Sequence, residues 1–198
     1  MDAIVGAVTA VLLAAFGLLA WRLQLISQRR FAVAEDAIVS FMLARHTLDY
    51  ARNGASYEGE GSTRSQIEGE SESERSIRDA YFTPVERINK DHDRFVKLEG
   101  IMLLARHHLG EDAYRAFETL IRAKNRVSFS ASFLIKNVGR NVEWTDEAAK
   151  RHQKWEADIW ATNDDDDTLS RELDVAERAL RAKCDREAKV TAALWPFR

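Results

Sequence analysis

The chain has 198 residues, with 29 Lys and Arg set against 32 Asp and Glu and a formal net charge of −3. That mixed balance offers no dominant basic surface, so composition gives no support to a nucleic-acid role. Nine glycines, two prolines and a lone cysteine, Cys184, favour helix over sheet, exclude an intramolecular disulfide and suit a reducing compartment.

The first element is residues 3–21, AIVGAVTAVLLAAFGLLAW, which carries no charge and no proline. As a helix it would be about 28 Å long, close to the hydrocarbon thickness of a bilayer. A cleaved signal peptide would need a basic n-region, and Met1-Asp2 supplies none. A buried core helix would show a polar face, and this run has none. The reading is an uncleaved transmembrane anchor over residues 1–22. Gly6, Ala10 and Ala14 give it a small-xxx-small face, a weak signal for helix pairing. Trp21 falls where an interfacial aromatic belongs. Arg22, Arg29 and Arg30 flank the apolar run on one side only, which places residues 23–198 in the cytoplasm and the N-terminus outside.

A helix continues or restarts at Leu23, with Phe31, Ala34, Ala37, Ile38, Phe41, Met42, Ala44 and Leu48 at three-and-four spacing and a stop at Asn53-Gly54. Residues 53–76 then turn acidic and rich in Ser and Gly, with Tyr57 and Ile67 as the large hydrophobes. Too little apolar area is available there to offset the entropy of ordering, so the segment reads as a flexible loop inside one bundle. Thr83-Pro84-Val85-Glu86 has the form of a capping box with proline at the first helical position. The spacing predicts a helix from there to Leu109, with Val85, Ile88, Phe95, Leu98, Met102, Ala105 and Leu109 inward and Gly110 as its stop.

Another helix follows from Glu111-Asp112 to Gly139. Its stretch 127–133 also alternates like a strand, but no second strand exists to pair with it. A fourth helix spans Thr145 to Ala161 with Ala148, His152, Trp155 and Ile159 on one side. The run Asp164–Asp167 interrupts the pattern, and a last helix covers residues 168–192 with Leu169, Leu173, Ala176, Leu180 and Cys184 inward. Short joints at Gly110 and Asp164–Asp167 favour antiparallel neighbours. The expected fold is all-α: one N-terminal transmembrane helix followed by an up-and-down bundle of four or five long helices.

Chemistry-bearing residues are sparse. Di-metal sites in bundles use Glu-x-x-His, and none of the five histidines has an acid three residues earlier. The reverse pairs, such as His152 with Glu156, are ordinary helix-surface spacings. His92, flanked by Asp91 and Asp93 and placed between Ile88 and Phe95 on the apolar stripe, is the best histidine candidate, with Glu99 as a further acid nearby. A hydrogen-bonded core histidine is the simpler reading of it. The four-Asp run lacks the alternation, central Gly and final Glu of an EF-hand. Cys184 lies on an apolar stripe, so a packed thiol is expected. No cofactor or metal site is expected. Trp155 reads as core, whereas Trp144, Trp160 and the tail Trp195-Pro196-Phe197-Arg198 sit at element ends, where they can pack back or meet a partner.

Thr83-Pro84-Val85-Glu86, the run Leu109-Gly110-Glu111-Asp112-Ala113 leading to Phe117 and Leu120, and Trp160 before the Asp run resemble a group of uncharacterised bacterial proteins with one N-terminal membrane helix and a helical cytoplasmic region. The resemblance covers residues 80–185 and implies the same architecture, with no assigned activity. The functional expectation is a non-enzymatic interaction or scaffold module at a bacterial inner membrane. It would meet the lipid bilayer through residues 3–21 and a protein partner, or a second copy of itself, through its bundle. Two alternatives stand beside it: a regulatory or stress-response protein with loop 53–76 as the input, and an enzyme with an inter-helix site around His92.

Overall fold

Every regular element among the described residues is a helix: α1 (Asp2–Ala51), α2 (Glu72–Lys90), α3 (His92–Leu109), α4 (Glu111–Asn137), α5 (Asp146–Ile159) and α6 (Thr168–Leu194). The computed structural model describes residues 2–140, 145–162 and 167–194. Expectations placed on Trp144, residues 164–166 and the tail Trp195-Pro196-Phe197-Arg198 lie outside the described residues. The ambiguous stretch 127–133 is helical, in the middle of α4.

α1 runs unbroken from the apolar segment into the bundle, so the helix continues at Leu23 rather than restarting. Its two halves have different surroundings. Ile4, Leu12, Phe16, Leu19 and Leu23 are exposed, whereas Ala34, Ala37, Phe41, Ala44 and Leu48 are buried. The first half is long and apolar enough to cross a membrane. The second half obeys the three-and-four spacing read from sequence, and its alanines let neighbouring helices approach closely.

Four rods make the bundle. α3 runs antiparallel to α1: Thr47 donates to Asp91 (2.9 Å) at one end, and Arg30 donates to the His108 carbonyl (3.0 Å) at the other. α6 is also antiparallel to α1, from Arg52 with Asp167 down to Ser27 with Thr191. α4 packs against α3 and α6, and its Phe117 ring meets Phe41 edge-on at 5.8 Å. α2 leads end to end into α3, and α5 likewise into α6. The result is two tiers. The proximal tier, nearer the exposed half of α1, contains α1, α3, α6 and the first half of α4. In the distal tier α1 has ended, α2 and α5 flank the second half of α4, and residues 53–71 pack against α2.

Two expectations need correction here. Thr83-Pro84 does not open a helix, because both residues lie inside α2. The working capping box is Ser71 with Glu74: Ser71 Oγ accepts from the Glu74 amide (3.3 Å) and Glu74 Oε2 from the Ser71 amide (2.9 Å). Proline is tolerated at 84 because the carbonyl it strands, that of Ala80, is on an exposed residue that water can reach. Glu86 accepts from the Gly61 amide (2.6 Å) instead of capping. The irregular segment accordingly ends at Ser71, and residues 72–76 are helical.

The second correction follows from Asp91, whose φ of −106° and ψ of 23° break the rod between α2 and α3. The break shifts the helical phase. Phe95 and Leu98 still point inward, but His92 is turned out to solvent rather than onto the apolar stripe.

Candidate functional site

The acid and histidine group around His92 does not converge. Asp91 is half-buried and accepts from Thr47, with Arg94 Nη1 at 3.2 Å from the same oxygen and 2.9 Å from Thr47 Oγ1. That trio ties the α2–α3 joint to α1. His92, Asp93 and Glu99 are exposed, and none of them lines the cleft of α2, α4 and α5 described below.

At the opposite end, Trp21, Arg22 and Arg29 are exposed while Arg30 is half-buried and structural. Arg30 bridges the His108 carbonyl and Glu187 Oε1, each at 3.0 Å, and so joins the ends of α3 and α6 to α1. Burial, then the neighbouring His107, Arg29 and Arg30, hold the His108 imidazole below its usual pKa. The end of the bundle that abuts the apolar helix is therefore locally basic.

The groups missed at the sequence level are arginines of the distal tier. Arg52 is fully buried. Its guanidinium donates to the carbonyls of Ala157 (2.8 Å), Asp158 (2.9 Å) and Trp160 (3.3 Å), and to Ser170 Oγ (3.0 Å) and Asp167 Oδ1 (3.1 Å). One side chain thus closes the C-terminal end of α5, where a cation is favoured, and holds the residue that caps α6. Asp167 accepts from the Ser170 amide at 3.0 Å. Burial works against its charge, yet hydrogen bonds from Arg52 and Ser170 leave its carboxyl below the usual pKa.

Arg87 repeats the device for residues 53–60. It donates to the carbonyls of Tyr50, Asn53 and Ala55 and to both oxygens of Glu60. Arg64 reaches back to Asp79 (2.6 Å) and Glu70 (2.7 Å), and Arg78 joins Glu70 to the Val138 carbonyl (2.8 Å). Gly61 belongs to this layer because its φ of +82° and its approach to the Asp79 carbonyl leave no room for a Cβ. Counting only apolar area in residues 53–71 overlooks these charge-assisted bonds. A signal for Arg52 was present: it falls four residues after Leu48, on the continuation of the apolar stripe.

α2, the C-terminal end of α4 and α5 also enclose a cleft of ≈ 490 Å³. The Phe133 and Trp155 rings stack at 5.0 Å on one wall, and Tyr81 contributes a second, with its hydroxyl donating to Glu156 Oε1 at 3.0 Å. Burial, then that carboxylate, push the Tyr81 phenol up to about 12. Arg140 and Arg151 stand at the rim.

Few groups here are suited to covalent chemistry. Cys184 is buried against the Ala34 carbonyl (3.3 Å), and burial pushes its thiol up to about 11, which leaves negligible thiolate at neutral pH. No group of three or more His, Cys, Asp or Glu converges as a metal site among the described residues. No family model, no curated protein and no solved structure matches the chain.

Proposed function

We propose that the protein is a membrane-tethered interaction module, held by residues 3–21 in a bacterial inner membrane and presenting its bundle to a protein partner in the cytoplasm. The observation that carries this reading is the split character of α1. Ile4 to Trp21 expose a continuous apolar surface, and the same helix becomes the buried spine of the bundle from Val33 onward. Exposed apolar surface of that length is costly in water and is satisfied in hydrocarbon. Arg22 and Arg29, exposed on the bundle side of the run, favour an outside N-terminus through the charge bias of membrane insertion. The mixed net charge of −3 argues for a protein partner or a second copy of the chain, not a nucleic acid.

Fractionation with C-terminal reporters tests the tether. The protein should stay with membranes after an alkaline carbonate wash, and a C-terminal fluorescent reporter should be active while a periplasmic phosphatase reporter is silent. Crosslinking in native membranes followed by affinity purification tests the partner. A carbonate-soluble protein, or a lone monomer without crosslinked species, would overturn the reading.

A regulatory role for residues 53–76 has one observation in its favour. Two glutamates of that loop, Glu60 and Glu70, accept from Arg87, Arg64 and Arg78. A change of charge there acts directly on the packing of α2. Glu60→Gln with Glu70→Gln should alter the crosslinking pattern on this reading, and an unchanged pattern would remove it.

A further inference from the structure

We propose that the cleft between α2, α5 and the end of α4 is a binding site for a small amphipathic organic anion, a flat apolar body bearing one carboxylate. Its ≈ 490 Å³ falls within the range that holds small ligands. The walls are suited to a planar body: Phe133 and Trp155 lie 5.0 Å apart with their planes tilted by 32°, and Phe133 remains partly exposed at 37%.

The rim supplies the charge. Arg140 and Arg151 are both exposed, and neither has an acidic partner among the described residues. That sets them apart from Arg52, Arg64 and Arg87, each of which is bound to a carboxylate. Two acids beside the cleft are already engaged. Glu156 accepts from Tyr81 and lies 3.4 Å from His152 Nε2, while Glu74 accepts from the Ser71 amide and lies 3.8 Å from Arg78. An anion entering the cleft meets two guanidinium forks that no acid among the described residues pairs, and their geometry matches a carboxylate. A neutral body would forgo those bonds, and an inorganic anion would forgo the aromatic wall.

The test uses the full chain in nanodiscs of phosphatidylcholine, with 2-naphthoate and 2-naphthalenemethanol as matched probes followed by ligand-detected NMR against empty nanodiscs. Naphthoate should bind about tenfold more tightly than the alcohol. Arg140→Gln with Arg151→Gln should weaken naphthoate about tenfold and leave the alcohol unchanged, which also shows that the cleft is still folded. Ala148→Phe, which fills the cleft from α5, should abolish binding of both probes. Equal affinity for the two probes, no binding of either, or loss of both in the double arginine variant would overturn the proposal.

Discussion

Phe41 lies in α1 and Arg52 is the first residue beyond its end, and both are fully buried, yet they hold the bundle together by opposite means. Phe41 meets Phe117 edge-on within a core that also holds Leu120 and the alanines of α1, a seam whose strength scales with area removed from water. Around Arg52 are three carbonyls, a hydroxyl and a carboxylate, whose bonds are directional. The apolar seam sets which faces of the rods meet. The polar joint sets where the rods stop and which end follows which, because each of its acceptors is a helix end or a loop carbonyl. The proximal tier is thus specified by spacing along helices and the distal tier by the fit of a few charged groups.

The comparison breaks first at its two strongest points. Phe117→Ala should cost about 4 kcal/mol, read by thermal unfolding of the detergent-solubilised chain, with faster amide exchange throughout α1, α3 and α4. Arg52→Met should cost about 3 kcal/mol, because it strands buried acceptors, and should speed exchange mainly in α5 and the first turn of α6. If both variants loosened the same helices equally, the two tiers would be one cooperative unit. Gly61→Ala should cost about 2 kcal/mol through its positive φ and the overlap with the Asp79 carbonyl, confined to residues 53–71 and α2.

Acid separates the tiers without mutation. Hydrogen bonds from Arg87 to Glu60, from Arg64 to Glu70 and from the Ser71 backbone to Glu74 hold all three carboxyls below the ordinary 4.5. Carboxyls depressed in the folded state add stability above 4.5 and lose it as pH falls through their lower folded values. Amide protection in α2 and residues 53–71, taken relative to the intrinsic exchange rate at each pH, should therefore be flat from pH 7 to 5 and fall below about 4.5, ahead of α1 and α6. Simultaneous loosening of both tiers would contradict the assignment. Smallest of all, Ser71→Ala should cost about 1 kcal/mol by removing half of the α2 capping box.

Legibility in the sequence follows the same division. The inward faces of α1 and α6 were readable because apolar spacing reports them: Phe41, Leu48, Leu173 and Leu180 are all buried as expected. Thr145 was readable as the start of α5, and its Oγ1 accepts from the Ala148 amide at 3.2 Å. The start of α2 was misread because two capping sequences compete, and a proline seemed to decide for the second. Position 84 accepts proline where Ala80, whose carbonyl loses its helical partner, is an exposed residue, which is a tertiary fact. His92 was misplaced for a related reason, since one non-helical residue, Asp91, changes the phase of everything before it. The cleft escaped detection because Tyr81, Phe133 and Trp155 come from three helices, and no local pattern brings them together. Arginines with distant backbone acceptors leave almost no trace in a linear pattern, and Arg52 is the exception.

The continuity of α1 also makes it a ruler. From Arg22 to Ala51 the helix spans about 44 Å, with no flexible linker to absorb tilt or rotation. On the tethered reading, the distal cleft stands at one height and one azimuth relative to the bilayer. Whatever it meets must be found at that standoff, and any rotation of the apolar half would swing the cleft through the same angle.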